Sequence, residues 1–217
     1  MDEPFAGNRL DPMWQRQFDT AARMPLAWLF SARQLWRVAE TAYVIAYSAR
    51  EEMIRQTLQE IEKNEQFTSR VLSKTESERL LDGSLLSVYG MLIAFAIENL
   101  AKGILIARHP GLIKSNGAIA DSLKSHNLRK LCSDVFGDLS SEEKGLLDML
   151  TDCGKWRGRY PIPLDWHDMK ARQISTGEWV QPDQQPILQK RPLINSILER
   201  LTGLLQAIKI ADSELEE

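Results

Sequence analysis

Histidine and cysteine are scarce in this chain, three and two among 217 residues. Cys132 and Cys153 stand 21 positions apart without a Cys-x-x-Cys pairing, which argues against a disulfide framework and for a reducing compartment. His109, His126 and His167 form neither a His-x-x-x-His nor a His-Glu-x-x-His spacing, and none clusters with cysteine, so no metal site is expected. The glycine-rich patterns GxxxxGK[ST], GxGxxG and GxSxG are also missing. That sets aside P-loop, dinucleotide-binding and α/β-hydrolase chemistry, and no cofactor is expected. Strand-like alternation of useful length, internal repeats and low-complexity tracts are absent too.

Charge of one sign is not in excess. A formal net charge of −3 argues against a generally basic nucleic-acid binder, yet leaves room for a local basic face. The longest apolar run, residues 85–97, has 13 residues. That is short of a bilayer's width, and Glu98, Asn99 and Lys102 follow at once. The first residues, MDEPFAGNRLDP, lack the basic-then-apolar order of a signal peptide. The expectation is a soluble cytoplasmic protein with no membrane partner.

What is present is helical periodicity. Residues 1–24 read as a polar lead-in with a short helix around Met13 to Arg23, and residues 25–212 as a single helical domain. Pro25 suits a first helical position, and a long helix is expected from there to about Lys63. Its seam is Trp28, Ala32, Leu35, Ala39, Ala42, Ala46, Ala49 and Met53, in steps of 4 and 3. After Met53 the stripe rotates to Ile54, Leu58 and Ile61. Residues 62–83 read as polar and partly looped, with Asp82-Gly83 as a break. A second helix, 84–108, is apolar almost all round and is expected at the centre.

A loop follows over 111–125, then a short helix over 126–137 ending at Gly137, with His126 placed to cap or orient it. Ser140 and Glu143 have capping-box spacing and open the next helix, with Gly154 as its end. Residues 155–191 form an irregular insertion holding Trp156, Trp166 and Trp179. A last helix runs from Pro192 to about Ile210 with the seam Ile194, Ile197, Leu201, Leu204 and Ile208, before an acidic tail, DSELEE. The fold class is all-α, an up-and-down bundle of four main helices with short extras.

Three features bear on function. Glu98 and Lys102 have i,i+4 spacing and can pair; either they form a local ion pair at an exposed helix end, or they face a cleft. Residues 99–137 hold six basic side chains (Lys102, Arg108, Lys114, Lys124, Arg129, Lys130) against Asp121 and Asp134. The stretch KWRGRYPIP, 155–163, adds Lys155, Arg157 and Arg159 with Trp156 and Tyr160. If these segments converge they make a phosphate-binding face with rings for stacking; otherwise they are solvated surface.

The order IENLAKGILI (97–106), SHNLRKL (125–131), then Arg159-Tyr160-Pro161 after a further helix resembles the HEPN superfamily, the higher eukaryotes and prokaryotes nucleotide-binding domain. The resemblance covers residues 25–210 and implies a helical bundle that often dimerises. It also implies RNA or nucleotide binding, frequently in bacterial defence or toxin–antitoxin systems, with a nucleotidyltransferase antitoxin as one kind of partner. Glu98, Lys102, His126, Arg157, Arg159 and Tyr160 are the binding residues it suggests. Nuclease members carry Arg-x(4–6)-His. Here seven residues separate Arg159 from His167 and nine separate Arg157 from it, with two prolines between, so the catalytic motif is absent or displaced. Three readings follow: a binding protein with a degenerate motif, a non-catalytic dimerisation or interaction module, and a metal-independent ribonuclease using His167 or His126 in another geometry.

Overall fold

The computed structural model describes residues 17, 20–62, 74–114, 118–157, 172–173, 179–180 and 186–214. Its main elements are α1 (Pro25–Glu62), α2 (Lys74–Arg108), α3 (Leu128–Phe136), α4 (Ser141–Asp152) and α5 (Arg191–Glu214). Among the described residues the only paired strands are β1 (Arg172–Gln173) and β2 (Trp179–Val180), antiparallel, with Arg172 opposite Val180. This two-residue pair lies in the insertion, where the sequence gives no alternation to announce it. The chain is all-α in class.

α1 and α2 lie antiparallel. Trp28 meets Gly103, and Tyr43 meets Tyr89 with ring centroids 5.4 Å apart. The alanine seam of α1 is the contact: Ala32, Ala39, Ala42, Ala46 and Ala49 are all buried. Small side chains there let the backbones approach, and Gly103 carries this furthest, since a Cβ on it would stand 2.7 Å from Trp28 Cβ. α5 runs in the same sense as α2, with Ile187 just before it at Gly90 and Leu205 at Gly103. Its buried face is Ile194, Ile197, Leu198, Leu201 and Leu205, while Leu204 and Ile208 are only partly covered. α5 runs past Ile210 to Glu214, into the acidic residues that finish the sequence.

α2 is the central helix, touching α1, α3, α4 and α5. It starts ten residues earlier than the turn signal at Asp82-Gly83 indicates, and that dipeptide is no break. Gly83 costs about 1 kcal/mol in a helix interior; around it Arg79 reaches Glu52 on α1 at 3.7 Å, and Ser84 and Ser87 donate to carbonyls three residues earlier. The longer α2 is the one helix among the described residues long and apolar enough to cross a membrane. Its side chains Ile93, Ile97, Leu100 and Ile104 are covered by the other helices, as in a core helix.

The remaining elements close over α2. Residues 109–127 hold two short helical turns and an isolated bridge, Ile113 to Ile119. Arg23 ties this loop down by donating to the carbonyls of Pro110 (3.1 Å) and Ile113 (2.9 Å). Gly137 ends α3 with φ +79°, a conformation glycine adopts without strain. The capping box of α4 is formed: Glu143 N–H donates to Ser140 Oγ at 3.1 Å, and Ser140 N–H to Glu143 Oε2 at 2.8 Å. Gly154 does not end that helix. α4 passes into a π-helical turn, Cys153–Arg157, and Gly154 is buried because its missing Cβ lets the turn sit on Ala94.

Candidate functional site

Glu98 and Lys102 sit on consecutive turns of α2, and the ammonium of Lys102 donates to Glu98 Oε1 at 2.7 Å. They are not at an exposed helix end. Relative exposures of 8% for Glu98 and 9% for Lys102 put the pair inside, with α2 running on to Arg108. Burying two charges costs several kcal/mol per ion unless they are well paired and hydrogen-bonded. A third side chain completes that pairing. His126 Nδ1 lies 3.0 Å from both Oε1 and Oε2 of Glu98.

Local structure delivers His126 to that carboxylate. His126 is not the cap of α3; Asn127 is, accepting from Lys130 N–H at 2.9 Å. Leu128 N–H donates to Thr151 Oγ1 at 3.1 Å, and the Thr151 hydroxyl donates to Leu147 O at 2.7 Å. The start of α3 is thereby fixed to the end of α4. Ser125 Oγ accepts from Asn127 N–H, holding the turn before it. An Asn before an amphipathic run is a readable cap signal; the threonine bridge has none in the sequence.

The same geometry brings a basic segment close. Gly154 packs on Ala94, one turn of α2 before Glu98, and Lys155 follows it within the π-helical turn. Lys155 is exposed. The backbone of Arg157 ends the turn. Arg159, Tyr160 and His167 lie outside the described residues, as do the side chains of Trp156 and Arg157.

An ionised carboxylate only accepts, so Glu98 selects the tautomer of His126 with the proton on Nδ1. Nε2 is then the ring nitrogen left to act, an acceptor in the neutral ring and a donor in the charged one. The His126 side chain is 58% exposed against 11% for that of Glu98, so the buried acid orients an imidazole that solvent can reach. Lys102 spends its charge on Glu98 and is not a free phosphate ligand.

The other basic residues of 99–137 divide. Arg108 donates to Val135 O at 2.8 Å, Lys124 pairs with Asp121 at 2.8 Å, and Arg129 with Asp148 at 3.3 Å. Lys114 and Lys130 are exposed. Much of the local positive charge therefore holds structure together. Among the described residues no three His, Cys, Asp or Glu side chains converge as a metal site.

A second polar cluster, unmarked by any motif, joins α1, α2 and α5. Arg191 pairs with Glu40 and lies 4.2 Å over the Tyr43 ring, while Trp36 Nε1 donates to Glu40 at 3.3 Å. Tyr89 is fully buried beneath them, and burial drives its phenol pKa up. The Arg191–Glu40 pair neutralises this cluster, while Tyr89 Oη and Arg191 Nε are buried in it without a hydrogen-bond partner among the described residues.

No family model, no curated protein and no solved structure matches the chain.

Proposed function

We propose that the protein is a HEPN-like four-helix bundle that binds RNA or a nucleotide without cleaving it, at the surface that carries His126. The observation that carries this reading is the meeting of two sequence pieces in space, with a third leaving from a neighbouring turn of the same helix. IENLAK supplies Glu98 and Lys102, SHNLRKL supplies His126, and KWRGRYPIP follows Gly154, which packs on Ala94 one turn of α2 before Glu98. Anchored on Glu98, the imidazole offers one ring nitrogen, and the exposed Lys155 offers its charge to a phosphate. The binding reading ranks above catalysis because Glu98 is already paired with Lys102, and the Arg-x(4–6)-His spacing of the nuclease members is not met. The resemblance adds a setting, a cytoplasmic defence or toxin–antitoxin pair with a protein partner such as a nucleotidyltransferase.

The test is fluorescence-anisotropy binding to single-stranded RNA over a salt series. His126→Ala and Lys155→Glu are each expected to weaken binding by about tenfold, equivalent to one charge-assisted hydrogen bond, and Lys155→Glu to flatten the salt slope. Lys74→Ala, at the far end of α2, is expected to change neither. Binding that both site variants leave intact, or no binding at low salt, removes the proposal. Metal-free RNA cleavage that vanishes in His126→Ala promotes the ribonuclease reading over it.

A further inference from the structure

Thr151 is buried, 7% exposed, in the last turn of α4, and both capacities of its hydroxyl are in use. Its proton goes to Leu147 O at 2.7 Å, one turn back in the same helix. A threonine bonded back in this way serves its own helix. This one also accepts from a second helix, because Leu128 N–H donates to the same oxygen at 3.1 Å.

Leu128 is the first residue of α3 and is itself buried. The first amides of a helix have no acceptor inside it and must find one elsewhere. Asn127 Oδ1 serves Lys130 N–H, and Ser125 Oγ serves Asn127 N–H, so two of the amides here are satisfied from within the segment. The Leu128 amide is satisfied from outside it, by α4. His126 stands two residues before Leu128, between two anchors. Its ring nitrogen lies on Glu98 of α2, and the chain just after it is pinned to Thr151 of α4. Two residues of chain span at most about 7 Å, so the position of Leu128 limits where the imidazole can be. An imidazole 58% exposed gains little from a carboxylate if a free loop must be ordered to reach it. The pinned amide removes that cost in advance.

We infer that Thr151 is a positioning residue for His126. By holding Leu128 N–H, its hydroxyl sets the reach of the imidazole to Glu98. It thereby keeps the proton on Nδ1 and leaves Nε2 for a ligand. What Nε2 then binds rests on the function proposed above; how the ring is held does not. Valine offers the shape of threonine without the hydroxyl, and serine offers the hydroxyl without the methyl, so the two substitutions separate hydrogen bonding from packing.

Nitrogen-15 NMR of the histidine rings and RNA anisotropy, both on the full chain, test it. Wild type is expected to show neutral His126 protonated on Nδ1 and a Leu128 amide that exchanges slowly with solvent. Thr151→Val should keep the helical circular dichroism, release that amide to exchange, and move His126 to the Nε2-protonated form that an unrestrained imidazole prefers. RNA binding should weaken by about tenfold, as for His126→Ala, and Thr151→Val/His126→Ala should bind no worse than His126→Ala alone. Thr151→Ser should restore the wild-type tautomer and binding. Should Thr151→Val misfold, Thr151→Ala removes the same hydroxyl and is read the same way. An unchanged tautomer in the variant lacking the hydroxyl overturns the inference. So do losses that add in the double variant, or a wild-type Leu128 amide that exchanges as fast as a free one. A chain that binds no RNA, yet whose His126 tautomer follows Thr151 as described, upholds the positioning and removes only the ligand.

Discussion

At the scale of single residues, Glu98 holds an ammonium and an imidazole with one carboxylate inside the protein. Lys102 reaches Oε1, and His126 spans both oxygens. Removing one member of a buried pair is worse than removing both, because the survivor is left charged and dry. Glu98→Ala is therefore expected to lower stability by about 3–5 kcal/mol in urea unfolding. The double variant Glu98→Leu/Lys102→Met should recover most of that loss, since an apolar pair of similar volume needs no counter-charge. Losses that simply add would mean that the two side chains are not coupled. His126→Ala should cost less than Glu98→Ala, because His126 is more than half exposed and leaves the Glu98–Lys102 bond in place. Of this triad, the pairing of Glu98 with Lys102 could be read from the i,i+4 spacing. The bond to His126 could not, because 28 residues and a loop separate the two side chains, and no local rule measures where a loop returns.

Individual helices show where local signals lose to packing. The 4-3 seam of α1 was legible because alanines at that period have no other use, and each of them is buried. The start of α2 was not, because Asp82-Gly83 reads as a turn while the ion pair from Arg79 to Glu52 that continues the helix is a tertiary contact. Gly154 was misread in the opposite way. Its position after an apolar face suits a terminator, but its lack of a Cβ serves the approach to Ala94. These glycine roles predict opposite outcomes for one kind of substitution. Gly83→Ala meets nothing within 4 Å and should raise stability by about 0.5–1 kcal/mol, through helix propensity and a less free unfolded chain. Gly103→Ala drives a methyl to 2.7 Å from Trp28 Cβ and 3.3 Å from Leu205 Cδ2, and should lower stability by about 1–3 kcal/mol through overpacking. Thermal melts of the two variants beside wild type separate the roles. A stabilised Gly103→Ala would show that α1 and α2 do not approach as closely as the seam requires.

For the whole molecule, acid stability should depend on a knot that ties three helices together. Glu143 accepts from Ser140 N–H at the start of α4 and from Arg200 on α5, whose guanidinium lies 4.2 Å over the Phe136 ring at the end of α3. Burial pushes the Glu143 carboxyl up, but the Ser140 and Arg200 hydrogen bonds outweigh it and hold the pKa below the usual carboxylate value. A carboxyl depressed in the folded state binds protons more readily when unfolded. Its contribution is therefore fully present above the unfolded value, about 4.3, and is lost as pH falls through the folded one. Nearby Cys132 is affected in the opposite direction, its thiol pushed up to about 12 by burial and then by the Glu143 charge, so it stays protonated throughout and adds nothing to this pH window. Glu143→Gln keeps the shape and removes the charge. At pH 7 it should cost about 1 kcal/mol, the value of a capping contact, since Arg200 is 43% exposed and its pairing is partly screened. In a chain of this size that corresponds to a Tm lower by about 2–4 °C. As pH falls below the unfolded value and through the folded one, wild type loses the same interaction, and the two melting curves should converge. A Tm gap that stays constant from pH 7 to pH 3 would mean that the carboxylate's charge is not what joins α3, α4 and α5.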